Sequence, residues 1–113
     1  MPTELRRLNF SEEEVQGALV NYALRSNMQM PSSGIQSLLV ENNGGVTVTL
    51  RFAPNDDGDP RDVEFSEAHL AAAIILFCRV QEIPVPRDAV KVLSHKGNEI
   101  AMTMQVHYGD QSD

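Results

Sequence analysis

Two stretches of this chain, 55 residues apart, carry the same punctuation in the same order, and that recurrence limits the available folds more than any other feature. In the first, Ser11 followed three residues later by Glu14 forms a capping box, and Phe10 and Val15 stand at the spacing of a hydrophobic staple. Val15, Ala18, Leu19 and Tyr22 then recur at helical spacing, which predicts an amphipathic helix over about residues 12–26. A breaker cluster at 31–34 separates it from a strand over 35–41, and the asparagine and glycine pairs at 42–45 supply the positive-φ residues of a hairpin turn. In the return strand Val46, Val48, Leu50 and Phe52 alternate with Thr47, Thr49 and Arg51, the pattern of a half-buried sheet.

The second stretch repeats this series. Ser66 is placed as an N-cap with Phe65 and Leu70 as its staple, and the helix runs to about residue 82, where Pro84 and Pro86 stop it. A strand over 89–94, a turn at Lys96, Gly97 and Asn98, and an alternating strand of Ile100, Met102, Met104, Val106 and Tyr108 follow. A shift of 55 sets Ala18 on Ala73, Tyr22 on Phe77, Pro31 on Pro86 and Leu38 on Leu93, and a shift of 54 sets the strand from Val46 on that from Ile100. The expected architecture is a single α+β domain over 1–113 with internal repeats at 10–52 and 65–108 and an acidic connector at 53–64. Two apolar helix stripes and two hairpin faces are most simply buried as two layers: a four-stranded antiparallel sheet with both helices on one face, in the order α-β-β-α-β-β.

At 42% apolar and 22% charged residues, the chain has the composition of a folded domain. Its formal charge of −7 opposes binding to phosphate backbones and anionic membrane surfaces, and its nine basic residues are dispersed along the sequence. Phe52 and Tyr108 belong to the inward-facing set, which leaves the sheet without aromatics on which bases could stack. The longest apolar run, 70–78, has nine residues, about half of a membrane span. The first ten residues are too charged for a secretory leader, and a single cysteine fits a reducing compartment, so a cytoplasmic location with neither nucleic acid nor membrane as partner is expected.

No catalytic, metal or cofactor signature emerges. His69, His95, His107 and Cys78 match no ligand spacing, and His69 and Cys78 fall on opposite faces of their helix. The acidic run from Asn55 to Pro60 has alternating carboxylates, but it lacks both the central glycine and the closing glutamate of a calcium loop. Arg79, Arg87 and Lys91 bracket 83–86 and offer a small anion site, against which stands ion pairing with Glu82 and Asp88.

The second helix departs most from the pattern. If Leu70, Ala73, Ile74 and Phe77 face the sheet, Ala72, Ile75 and Leu76 point away from it, where the first helix has Gly17, Val20 and Asn21. A helix apolar nearly all round is buried nearly all round. The leading expectation is therefore a non-catalytic interaction module that forms a homodimer or engages a protein partner through Ala72, Ile75 and Leu76. The alternative is a small polar-ligand-binding protein or minor enzyme using the open sheet face, with Arg51, Gln105 and His107 as its polar groups.

Overall fold

A computed structural model describes residues 2–54, 58 and 61–108. The acidic run from Asn55 to Pro60 lies outside the described residues except for Gly58. In chain order the elements are β1 (Thr3–Phe10), α1 (Glu12–Arg25), β2 (Ile35–Asn42), β3 (Val46–Phe52), β4 (Arg61–Phe65), α2 (Glu67–Val80), β5 (Val90–Lys96) and β6 (Glu99–His107). Both helices form where the local signals place them. The Ser11 hydroxyl accepts from the Glu14 amide at 3.2 Å while the Glu14 carboxylate accepts from the Ser11 amide at 2.9 Å, and the Ser66 hydroxyl accepts from the His69 amide.

The helices also end alike, at residues 55 apart. Asn27 and Glu82 take up left-handed φ values of 57° and 60°. The Met28 amide bonds the Ala23 carbonyl at 2.9 Å, and the Ile83 amide bonds the Cys78 carbonyl at 2.7 Å, each closing a Schellman motif. The second helix thus ends at Val80, and the chain reverses at Glu82, two residues before Pro84.

The single four-stranded sheet expected from the sequence is not formed, and the order is β-α-β-β-β-α-β-β. There are two three-stranded antiparallel sheets, β1-β6-β5 and β2-β3-β4. The difference comes from two strands whose apolar alternation is short, Leu8 and Phe10 in β1 and Val63 and Phe65 in β4. β1 carries Glu4, Arg6, Arg7 and Asn9 among its residues, and β4, which occupies the last part of the expected connector, carries Arg61, Asp62 and Glu64. Both are edge strands, where charge is tolerated and discourages further pairing.

These two strands interlock the units. β1 pairs with β6 through eight residue pairs, from Thr3 with His107 to Phe10 with Ile100, and β4 pairs with β3 through five. Each helix packs on the sheet that contains the strand before it, α1 on β1 and β6 and α2 on β3 and β4, and the helices pack on each other. Phe10, just before α1, meets Phe77 near the end of α2 edge-on at 5.8 Å, while Tyr22 near the end of α1 meets His69 in the first turn of α2 at 5.9 Å, so the helices run antiparallel. Side chains from both helices and both sheets join in one core cluster that includes Leu19, Leu50, Phe65, Leu70, Ile74, Ile100, Met102 and Met104. One further bond ties the sheets together, the Asn98 side chain at the β5-β6 turn accepting from the Val40 amide of β2, and the Glu67 carboxylate of α2 accepts from the Val46 amide of β3, both at 3.2 Å.

Candidate functional site

The interlocked sheets separate the polar residues expected to share one face. Arg51 lies on β3 and Gln105 and His107 on β6, in different sheets. The Arg51 guanidinium makes a two-pronged contact with Asp62 of β4 at 2.9 and 3.0 Å, which holds the Asp62 carboxyl below its ordinary range through hydrogen bonding. Thr3 and His107 lie 3.4 Å apart across the β1-β6 ladder. Tyr108 does not point inward: it is exposed, and its hydroxyl donates to Glu4 at 2.6 Å, which raises the phenol above its usual range.

The histidines do not converge either. His69 lies beside the Tyr22 ring, and His95 at the β5-β6 hairpin contacts the Gly97 carbonyl oxygen at 3.0 Å. Among the described residues no group of three or more His, Cys, Asp or Glu side chains could hold a metal ion. Cys78 is fully buried in the core, where desolvation raises its thiol above the ordinary value and disfavours the nucleophilic thiolate.

Placement accounts for part of the surplus apolar surface of α2. Leu70, Ala73, Ile74 and Cys78 are buried against the core, while Ala72, Ile75 and Leu76 are each half-buried. Ile75 does not stand on a bare outer surface but lines a groove between α2 and β5. Its upper part is a cleft of about 440 Å³ with Glu67, Ala68, Ala71 and Ile75 along one face of the helix and three successive residues of β5, Lys91, Val92 and Leu93, along the other wall. Met102, the cross-strand partner of Leu93, forms part of the lining. Beyond Ile75 the groove continues as a second cleft of about 410 Å³, where Arg79, Arg87 and Lys91 join Val85.

These cations are not arranged as expected. Among the described residues the only ion pair within 4.0 Å is Arg51 with Asp62, so neither Glu82 nor Asp88 neutralises Arg79, Arg87 or Lys91. Lys91 instead donates to the carbonyls of Arg87 at 3.3 Å and Ala89 at 3.1 Å, fixing the turn before β5 and leaving one ammonium donor over.

The first unit provides an internal comparison. Its own cleft, of about 400 Å³, is lined by Gln16, Val20, Leu24, Met30 and Pro31, the positions 55 before Ala71, Ile75, Arg79, Val85 and Pro86, and no charged residue lines it. The positions matching Arg87 and Lys91 are Ser32 and Gln36, and those matching Ala68 and Ala71 are Glu13 and Gln16. The same local framework therefore carries two different linings, and only the second joins small side chains on the helix to a basic end.

A separate apolar surface lies on the outside of the β1-β6-β5 sheet. Leu5, Gln105 and Val90 form one row across the ladder and Arg7, Thr103 and Val92 the next, with Leu5, Val90 and Val92 exposed to 68%, 55% and 57%. No helix of the described residues is long and apolar enough to cross a membrane. No known protein family, curated protein or solved structure matches the chain.

Proposed function

We propose that this chain is a non-catalytic protein-interaction module whose second helix supplies one wall of a partner-binding groove. The observation that carries the reading is the continuous cleft from Glu67 to Arg87, apolar along Ala68, Ala71 and Ile75 and basic at one end, where the first unit has an uncharged lining. Concave, mainly apolar sites with a few fixed polar groups are the usual form of a binding site. The test is co-purification from the native cell with the wild-type chain and with the double variant Ala68→Glu/Ala71→Gln, which copies the first helix's residues into the second. A partner held by the wild type and lost from the variant supports the reading, whereas identical sets of partners remove it.

Self-association is the second reading, favoured by the exposed row neighbours Leu5, Val90 and Val92 together with the half-buried Ile75. Light scattering at tens of micromolar checks it: a dimer that dissociates on Val92→Asp or on Ile75→Asp assigns the interface, and a monomer in every case eliminates it.

A further inference from the structure

We infer that the groove between α2 and β5 takes an extended peptide segment as an added strand on the free edge of β5, with a carboxylate of that segment at Arg79, Arg87 and Lys91. The inference rests on the reading of this groove as the partner site and adds the partner's conformation and charge. Three independent observations lead to it.

The first is the edge. β5 closes one side of its sheet and, among the described residues, pairs only with β6, so its outer row of amide and carbonyl groups has no strand partner. An exposed edge of this kind is a template for an incoming strand. The second is the wall facing it. Ala68, Ala71 and Ile75 stand one helical turn apart along α2 beside that edge, and the two alanines are small where the matching positions of the first helix carry Glu13 and Gln16. In an added strand every second side chain points to the same side of the sheet, so alternate apolar residues of the ligand would enter this space.

The third is charge. In a chain of net charge −7, three cations gather at the end of the groove where β5 begins, at positions that are Leu24, Ser32 and Gln36 in the first unit, and among the described residues no carboxylate lies within 4.0 Å of them. A strand antiparallel to β5 starts beside Lys96 and finishes beside Val90, so its C-terminal end arrives at these cations. The pocketed charge thus fixes direction as well as affinity. Both a chain-terminal carboxylate and an acidic side chain supply the required chemistry.

The probe is a fluorescein-labelled heptapeptide with threonine at positions one, three and five, valine at positions two, four and six and aspartate with a free C-terminus at position seven, titrated against the full chain and followed by anisotropy. Saturable binding is expected, weakened roughly tenfold when Arg79→Glu and Arg87→Glu are combined, and weakened similarly by added salt. Amidating the peptide terminus and replacing the aspartate by asparagine, separately and together, shows which carboxylate is read, and removing both is expected to cost at least about tenfold. A peptide with proline at its third and fifth positions, which lacks the amides a strand must donate, is expected not to bind. Laurate serves as the competing amphiphile. Displacement of the peptide by laurate, together with indifference to the prolines, assigns the groove to an acyl chain and overturns the inference.

Absence of saturable binding at millimolar peptide also overturns it. Equal binding of acidic and neutral peptides that is lost in Ala68→Glu/Ala71→Gln overturns the strand-and-carboxylate inference while leaving the groove as the partner site. All variants are compared at matched thermal midpoints. Arg79 and Arg87 are exposed, and the two alanine replacements are residues that the first helix already accommodates.

Discussion

Cleaving the chain between residues 54 and 55 separates the two units, and the structure predicts that neither half will fold alone. Each half keeps its own helix and hairpin but loses the strand that the other unit contributes to its sheet. The lost pairing amounts to eight residue pairs between β1 and β6 and five between β3 and β4. At roughly 1 kcal/mol of net stabilisation per hydrogen bond, with about one bond per pair, the two ladders contribute on the order of 10 kcal/mol, against about 5–15 kcal/mol for an intact domain. The antiparallel α1-α2 contact, with the Phe10-Phe77 pair, is lost as well. Circular dichroism of each fragment should show little cooperative melting, and mixing them in equal amounts should restore a cooperative transition whose midpoint rises with concentration. Two fragments that melt cooperatively by themselves, with midpoints independent of mixing, would refute the interlocked account and leave two autonomous units.

Three further outcomes follow from single residues. Phe65→Ala, at a fully buried junction of β4 and α2, should cost about 3–5 kcal/mol in urea unfolding; a loss below about 1 kcal/mol would mean that the site is not packed as described. Glu82→Gly relieves a left-handed φ of 60° and should raise stability by about 1 kcal/mol, read as a higher denaturation midpoint with unchanged slope. Burial raises the Cys78 thiol, so the unfolded chain releases this proton first and stability falls as pH climbs through the ordinary thiol range toward the folded-state value. Stability measured across that range should decline less steeply in Cys78→Ala, and the wild-type thiol should react with a disulfide reagent only at the rate at which the core opens.

How much could be read in advance depended on how local the signal was. Caps, helical stripes and the alternation from Val46 to Phe52 are properties of a few neighbouring residues, and the two helices and both hairpins stand within a few residues of where those signals place them. The edge strands were not legible because β1 and β4 are held by the backbone of β6 and β3, while their own inward-facing apolar residues come down to one short pair each, Leu8 with Phe10 and Val63 with Phe65. The candidate groove was partly legible: Ala72, Ile75 and Leu76 marked α2 as unusual, though of these only Ile75 lines the groove, and Arg79, Arg87 and Lys91 were visible as a group. That both line one cleft depends on β5 passing beside α2, which no local pattern states.

By itself the sequence determined the unit, a helix followed by a hairpin, because capping bonds and hydrophobic periodicity act within one or two turns. Only the tertiary structure decided that each unit lends a strand to the other's sheet. Strand pairing is made by backbone groups common to all residues, and partners far apart in the chain are selected by how the apolar faces of α1, α2, β3 and β6 close over one shared core.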